Sequence, residues 1–173
     1  IYAQGTRSFI QELKDSGLNV TQSYDNNIGA VLVAFDPELT GEKLRTTCEV
    51  LTKLDVPYYA TNPDWVCPTS YGYVPDCGSV STMIYNATKK MPVFIGKPQP
   101  TMALLAMEKT GFKPEETVVM GDRLYTDIAC GVNAGISSAF VLSGEGTMED
   151  LEKSEVKPEF VFENIREILN NLK

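Results

Sequence analysis

The chain has 173 residues, 43% hydrophobic and 22% charged, with a formal net charge of −8. That is a folding composition, long enough for one ordinary domain or two small ones and too acidic for unaided nucleic-acid binding. Histidine is absent, which excludes Ser-His-Asp and Cys-His catalysis and histidine-ligated metals and leaves carboxylate, lysine and hard-metal chemistry.

No apolar run approaches the roughly 18 residues of a membrane span. The opening IYAQGTRSFIQEL lacks a basic region followed by an apolar core, so no signal peptide is expected. The reading is of a cytoplasmic chain. Of its four cysteines, Cys48 and Cys130 fall in helical patterns. Cys67 and Cys77 flank a loop where they could pair, and a reduced pair is expected.

Residues 1 to about 91 form the first region. Thr6 caps a helix carrying Phe9, Ile10 and Leu13, stopped by Gly17. Ala30–Phe35 reads as an apolar strand. Gly41–Leu54 reads as a helix with Leu44, Cys48 and Leu51 aligned, and Pro57–Thr61 as a short strand. Asn62–Gly78 is a long loop rich in Pro, Tyr and Gly. Its Trp65, Tyr71 and Tyr73 either line a pocket or, as is commoner, pack the loop down. Gly78–Lys90 reads as a helix with Val80, Ile84 and Ala87 in register.

The second region, about 92–173, alternates strand and helix and reads as a parallel sheet of four strands. Val93–Ile95 and Val118–Met120 are apolar runs, each followed by a glycine and a charge: Gly96-Lys97 and Gly121-Asp122. Between them runs a helical pattern with Met102, Leu105 and Ala106 on one face, stopped by Gly111. This spacing predicts a βαβ unit whose parallel strands are neighbours or nearly so. It delivers Lys97 and Asp122 to the carboxyl edge of one sheet, where open α/β sheets bind ligands.

A cation and a carboxylate at that edge suggest a site for a phosphate and a metal ion. Taken singly, either residue also reads as a loop charge meeting water. Asp127 lies in the first turn of a helix predicted over Thr126–Asn133. There it answers the helix dipole, and is placed to hold water around a metal bound at Asp122. A strand at Ser138–Leu142 leads into Ser143-Gly144-Glu145-Gly146-Thr147 and a short helix. That loop could take an anion, but it lacks the third glycine of a dinucleotide fingerprint and Glu145 would repel phosphate, so it reads as a structural turn. Pro158–Phe162 is an edge-strand candidate, and Asn164–Leu172 closes the chain as a helix.

GKPQPTMALLAMEKTG and VVMGDRLYTDIACGVNAGI resemble the third and fourth motifs of haloacid-dehalogenase (HAD)-superfamily phosphatases, in the NagD-like, p-nitrophenylphosphatase-like branch. The resemblance extends through ATNPDWVCPT, SGEGT and the C-terminal helix. It implies an α/β fold in which residues 1–91 are most of a cap domain and 92–173 are the C-terminal half of a Rossmann-like core. It further implies Mg²⁺-dependent hydrolysis of small phosphorylated metabolites through an aspartyl-phosphate. Lys97 would then contact phosphate as a catalytic and substrate-binding residue. Asp122 would be a direct Mg²⁺ ligand and Asp127 would order a metal-bound water or the lysine. Asn62 and Asp64 would touch the substrate, although Asn62-Pro63 is also a common turn.

The resembling family attacks phosphorus with the first Asp of an N-terminal DxDGT motif. No DxD occurs in this sequence, so the resemblance implies a chain represented without the N-terminal half of its core. The nearest approach is VLVAFDPELTG, with Asp36 at a strand end, Glu38 in place of the second Asp, and a location in the implied cap. Two other readings compete: an inactive fragment that binds ligand or partner, and a receiver-type signalling domain, whose lysine follows its acids where Lys97 precedes Asp122. No nucleic-acid or membrane partner is expected. A fragment of a core would expose apolar surface that self-association covers.

Overall fold

A computed structural model describes residues 1–171; Leu172, expected in the last helix, lies outside them. The fold is α/β, with parallel sheets and helices in two compact units, Ile1–Ile95 and Gly96–Lys173.

The first unit is built on a sheet in the order β1-β2-β3-β6: β1 (Tyr2–Gln4), β2 (Val31–Val33), β3 (Tyr58–Ala60) and β6 (Val93–Phe94). All neighbours in it are parallel. Helices α1 (Arg7–Asp15), α2 (Gly41–Lys53) and α3 (Cys77–Thr88) connect the strands. Their starts are chemical. The Thr6 hydroxyl accepts from the Phe9 amide at 3.1 Å, Thr40 from Lys43 at 3.2 Å, and the Asp76 carboxylate from Cys77 at 2.5 Å. Each satisfies an amide that a helix start leaves orphaned. The core joins Val31, Val33, Val50, Leu51, Ala60 and Ile84 into one cluster, with Leu44 and Cys48 packed on it.

Val93–Phe94 does not join the sheet that precedes Asp122. Tyr59 pairs with Val93 and Ala60 with Phe94, and the Ile95 amide reaches the Ala60 carbonyl at 2.9 Å. The predicted βαβ unit is therefore not formed, and the second unit's sheet has three strands rather than four. A two-residue strand carries no periodicity that selects its sheet, and β3 offers an open edge inside the first unit. The long loop also resolves further. It contains an antiparallel hairpin, β4 (Val66–Thr69) with β5 (Gly72–Pro75), turned through Ser70-Tyr71 and re-entered at Gly72 with φ 138°. Pro68 and Pro75 in its strands had argued for loop. Trp65, Tyr71 and Tyr73 do not pack this segment down; all three are exposed.

The second unit carries β7 (Val118–Gly121), β8 (Ser137–Val141) and β9 (Phe160–Phe162), parallel and in that order, so β9 is an edge as its Pro158 lead-in suggested. Around them run α4 (Thr101–Thr110), α5 (Ala129–Ala134), α6 (Met148–Lys153) and α7 (Ile165–Asn171). Helix α4 stops at Gly111 (φ 77°) and α5 at Gly135 (φ 68°), left-handed positions that favour glycine. The buried residue of α4 is Ala103, packed on Cys130 and Ile136, with Met107 on the same stripe. The expected face is not buried: Met102, Leu105 and Ala106 are exposed. Leu104 and Met107 make this helix apolar on several sides, so periodicity could not single out the packed one. No helix of the described residues is long and apolar enough to cross a membrane.

Candidate active site

Strand β7 ends at Gly121, and Asp122 is the first residue beyond it. The chain then makes a π-helical turn over Leu124–Ile128 before α5 begins. The Arg123 carbonyl accepts from both the Asp127 amide (3.0 Å) and the Ile128 amide (3.2 Å). This wide turn, not the plain α-helix predicted from Thr126, sets Asp127. Such turns recur at functional sites. It folds back so closely that a Cβ on Gly121 would lie 2.2 Å from the Asp127 Cβ. Only glycine leaves that space.

Asp127 is buried and both its oxygens are engaged. Oδ1 accepts from Lys97 Nζ, and Oδ2 from the Arg123 amide at 3.2 Å. The structure thus brings Lys97 and Asp127 together as an ion pair, although Lys97 does not leave a strand of this sheet.

Asp122 is half-buried. Its Oδ2 accepts from the Glu145 amide at 2.7 Å, and its carbonyl from the Gly146 amide at 3.0 Å. Oδ1 accepts no hydrogen bond among the described residues, and a carboxylate oxygen so presented is a hard-cation donor. No group of three or more acidic, cysteine or histidine side chains converges on one point among the described residues. Any ion at Asp122 would therefore take most of its ligands from water or from groups beyond these.

The sequence reading missed the pairing of Glu145. Its Oε2 accepts from Arg123 Nε at 2.8 Å and lies 2.6 Å from Nη2, so the charge read as repelling phosphate is neutralised. Arg123, Leu124, Tyr125, Glu145, Lys153 and Val156 help line a cavity of about 370 Å³ beside Asp122. The signal was present: Arg123 follows Asp122, and Glu145 stands between two glycines.

Asn62 and Asp64 lie in the first unit, after β3. The Asn62 amide donates to Asp64 Oδ2 at 2.8 Å and to Asp76 Oδ1 at 3.1 Å. Gly78, on α3, meets this turn so tightly that a Cβ there would lie 2.2 Å from the Pro63 carbonyl oxygen. Asp36 is elsewhere in that unit with its side chain fully buried. It receives Lys43 Nζ at 2.7 Å and the Glu38 amide at 3.0 Å. Lys43 also donates to the Gly5 carbonyl at 2.9 Å. A carboxylate so enclosed has no approach to phosphorus. Cys67 and Cys77 are not bonded to each other, and all four cysteines are free. Burial pushes the Cys77 and Cys130 thiols up, which disfavours the reactive thiolate.

The sequence model of the HAD-hydrolase-like family matches residues 94–168. The chain is 29% identical over 165 residues to the acid sugar phosphatase of Staphylococcus epidermidis, covering 95% of this chain and 62% of that one. It superposes on the 4-nitrophenylphosphatase of Thermotoga maritima with a TM-score of 0.91 at 39% identity, covering 99% of this chain and 65% of the other. Against the glycerol phosphate phosphatase of Mycobacterium tuberculosis in complex with magnesium the TM-score is 0.88 at 26% identity, with 95% and 50% covered. The chain thus spans a little under two thirds of the curated relatives it matches. With residues 94–168 matching that family's model and nearly the whole chain superposing on these structures, the chain belongs to the HAD-like hydrolases, and it is similar to proteins of the NagD and p-nitrophenylphosphatase family.

Proposed function

We propose that this chain is the cap portion, residues 1–91 together with β6, and the C-terminal core portion, the residues after β6, of a Mg²⁺-dependent phosphatase of small phosphorylated metabolites. The observation that carries the reading is the Lys97–Asp127 ion pair anchored at Arg123, beside Asp122 at the end of β7. A lysine point charge there neutralises phosphate, and its carboxylate partner orients the ammonium. Asp122 would hold the Mg²⁺, whose chemistry is to draw an anionic nucleophile and an anionic phosphate together.

The nucleophile of the proposed aspartyl-phosphate route is a carboxylate outside these 173 residues, since Asp36 is enclosed. It attacks phosphorus as the ester P–O bond breaks, the leaving alcohol takes a proton, and water then cleaves the acyl phosphate. The relatives' names point to sugar and polyol phosphates as the substrate class. Asn62 and Asp64 are the proposed substrate-selecting residues of the first unit. Four free thiols fit a reducing compartment such as the cytoplasm. Exposed Leu104, Leu105 and Phe112 on and after α4 fit a face covered by self-association or by more of the protein.

The test is phosphate release from an aryl phosphate, with Mg²⁺ and with EDTA. The 173-residue chain is expected to release none above its Asp122→Asn control. Joined to an N-terminal segment carrying DxDGT, it is expected to turn over, and Lys97→Ala or Asp122→Asn should each cost at least about 100-fold. Light scattering on the 173-residue chain reports self-association. Release by the 173 residues that needs Asp36 would sink the proposed division of labour. A joined chain that stays silent would favour the ligand-binding remnant.

A further inference from the structure

Asp122 is held by a closed ring of contacts that uses two residues outside the lysine and aspartate constellation. From Asp122 the backbone passes to Arg123, whose guanidinium grips the Glu145 carboxylate through Nε at 2.8 Å and Nη2 at 2.6 Å. From Glu145 the backbone amide returns to Asp122 Oδ2 at 2.7 Å. The loop has no slack. A Cβ on Gly144 would fall 2.0 Å from Asp122 Oδ2, and one on Gly146 would fall 2.5 Å from the Asp122 carbonyl oxygen. Two glycines let the loop come this near, but glycines do not hold it there. The amides of Glu145 and Gly146 on Asp122 hold it, and the side-chain bond between Glu145 and Arg123 ties its centre to the residue after Asp122. The Arg123 side chain is 17% exposed and that of Glu145 33%, so the pair is partly shielded from solvent, and two guanidinium nitrogens converge on the one oxygen Oε2 in a charge-assisted contact.

We propose that Arg123 and Glu145 are a positioning pair that orients the Asp122 carboxylate, occupying Oδ2 through the Glu145 amide so that Oδ1 is presented to a divalent cation. This rests on the reading of Asp122 as the cation ligand and adds what aims it. Neither residue touches the cation. Their effect is to remove the rotational freedom that an aspartate at a strand end would otherwise keep.

The experiment is a Mn²⁺ titration of the 173-residue chain joined to the N-terminal segment carrying DxDGT, followed by loss of the free-ion electron paramagnetic resonance signal, with circular dichroism as the fold control. Four variants are compared: Asp122→Asn, Glu145→Gln, Arg123→Gln, and the double swap Arg123→Glu with Glu145→Arg. Loss of an orienting partner outside the ligand sphere typically weakens metal affinity by 10-fold or more, so Glu145→Gln and Arg123→Gln are each expected to bind about tenfold more weakly. The double swap, which restores the ion pair, is expected to recover most of that loss. Wild-type affinity in Glu145→Gln while Asp122→Asn loses binding would overturn the positioning pair and leave the cation reading standing. A weakened Glu145→Gln that the swap does not repair would also overturn it. Equal behaviour of wild type and Asp122→Asn would remove the cation reading and the pair with it.

Discussion

Asp36 and Lys43 show how a charge at a strand end becomes architecture. The Asp36 side chain is wholly buried and Lys43 is 20% exposed, so the pair is poorly screened. Lys43 is also hydrogen-bonded to the Gly5 carbonyl, tying α2 to the segment after β1. A buried pair is weak evidence for net stability, but removing one partner strands the other. Lys43→Met is therefore expected to destabilise the first unit by about 3–5 kcal/mol, whereas Lys53→Met, whose ion-pair partner Glu49 is also open to solvent, should have a far smaller effect. Urea unfolding of the two variants separates the cases, and a small effect for Lys43→Met would mean that Asp36 finds water or another donor. The candidate site lysine differs in kind. Lys97 is exposed and its partner Asp127 buried, so its ammonium remains within reach of a ligand.

Among the elements, α6 is six residues long and owes its start to one capping box. The Thr147 hydroxyl accepts from the Asp150 amide at 3.2 Å, while the Asp150 carboxylate accepts from the Thr147 amide at 2.9 Å and from its hydroxyl at 2.6 Å. These bonds, the hydroxyl's first, hold the Asp150 carboxyl below its ordinary value of 3.8. A folded value below the unfolded one means that the cap's contribution is fully present above the unfolded value and fades as pH falls through the folded one. The protection of the Asp150 and Leu151 amides, corrected for intrinsic exchange, should fall as pH drops below about 4 more than it does in neighbouring helices, and Thr147→Ala should abolish that excess. A pH-independent excess would assign the cap to the backbone.

Signals of this local kind were legible in the sequence: Thr6 as a cap, Gly111 as a stop, Asp122 just past a strand. What was not legible was any choice between sheets. Val93–Phe94 is apolar and short enough for either, and α4 is apolar on too many sides to announce that Ala103, not Leu105, is buried. The Arg123–Glu145 contact joins positions 22 residues apart through a loop whose path no periodicity encodes.

Across the whole molecule, apolar burial is unevenly shared. The first unit joins eleven buried residues into one cluster that runs from Tyr2 to Ile84. The second has, among the described residues, two separate groups of three, Ala103 with Cys130 and Ile136, and Leu124 with Ile128 and Phe140. Full burial of a Val, Leu or Ile side chain contributes roughly 1.5–3 kcal/mol, so opening the first cluster costs more than opening either of the others. Strands β2 and β8 make a fair comparison, because each is paired on both sides and edge effects cancel. In hydrogen exchange, the protected amides of β2 should therefore be slower than those of β8 by at least about tenfold, equivalent to about 1.4 kcal/mol in opening free energy. Leu51→Ala, in the large cluster, should lower protection across β2 by about 2–5 kcal/mol and leave β8 nearly unchanged. Equal protection in the two strands, or a Leu51→Ala effect that spreads evenly to β8, would show that core size does not set the opening free energy. The expected difference has a functional side. The site residues Lys97, Asp122, Asp127, Arg123 and Glu145 all sit in the unit with the smaller cores, so the ring of contacts around Asp122 carries order there that apolar packing does not supply.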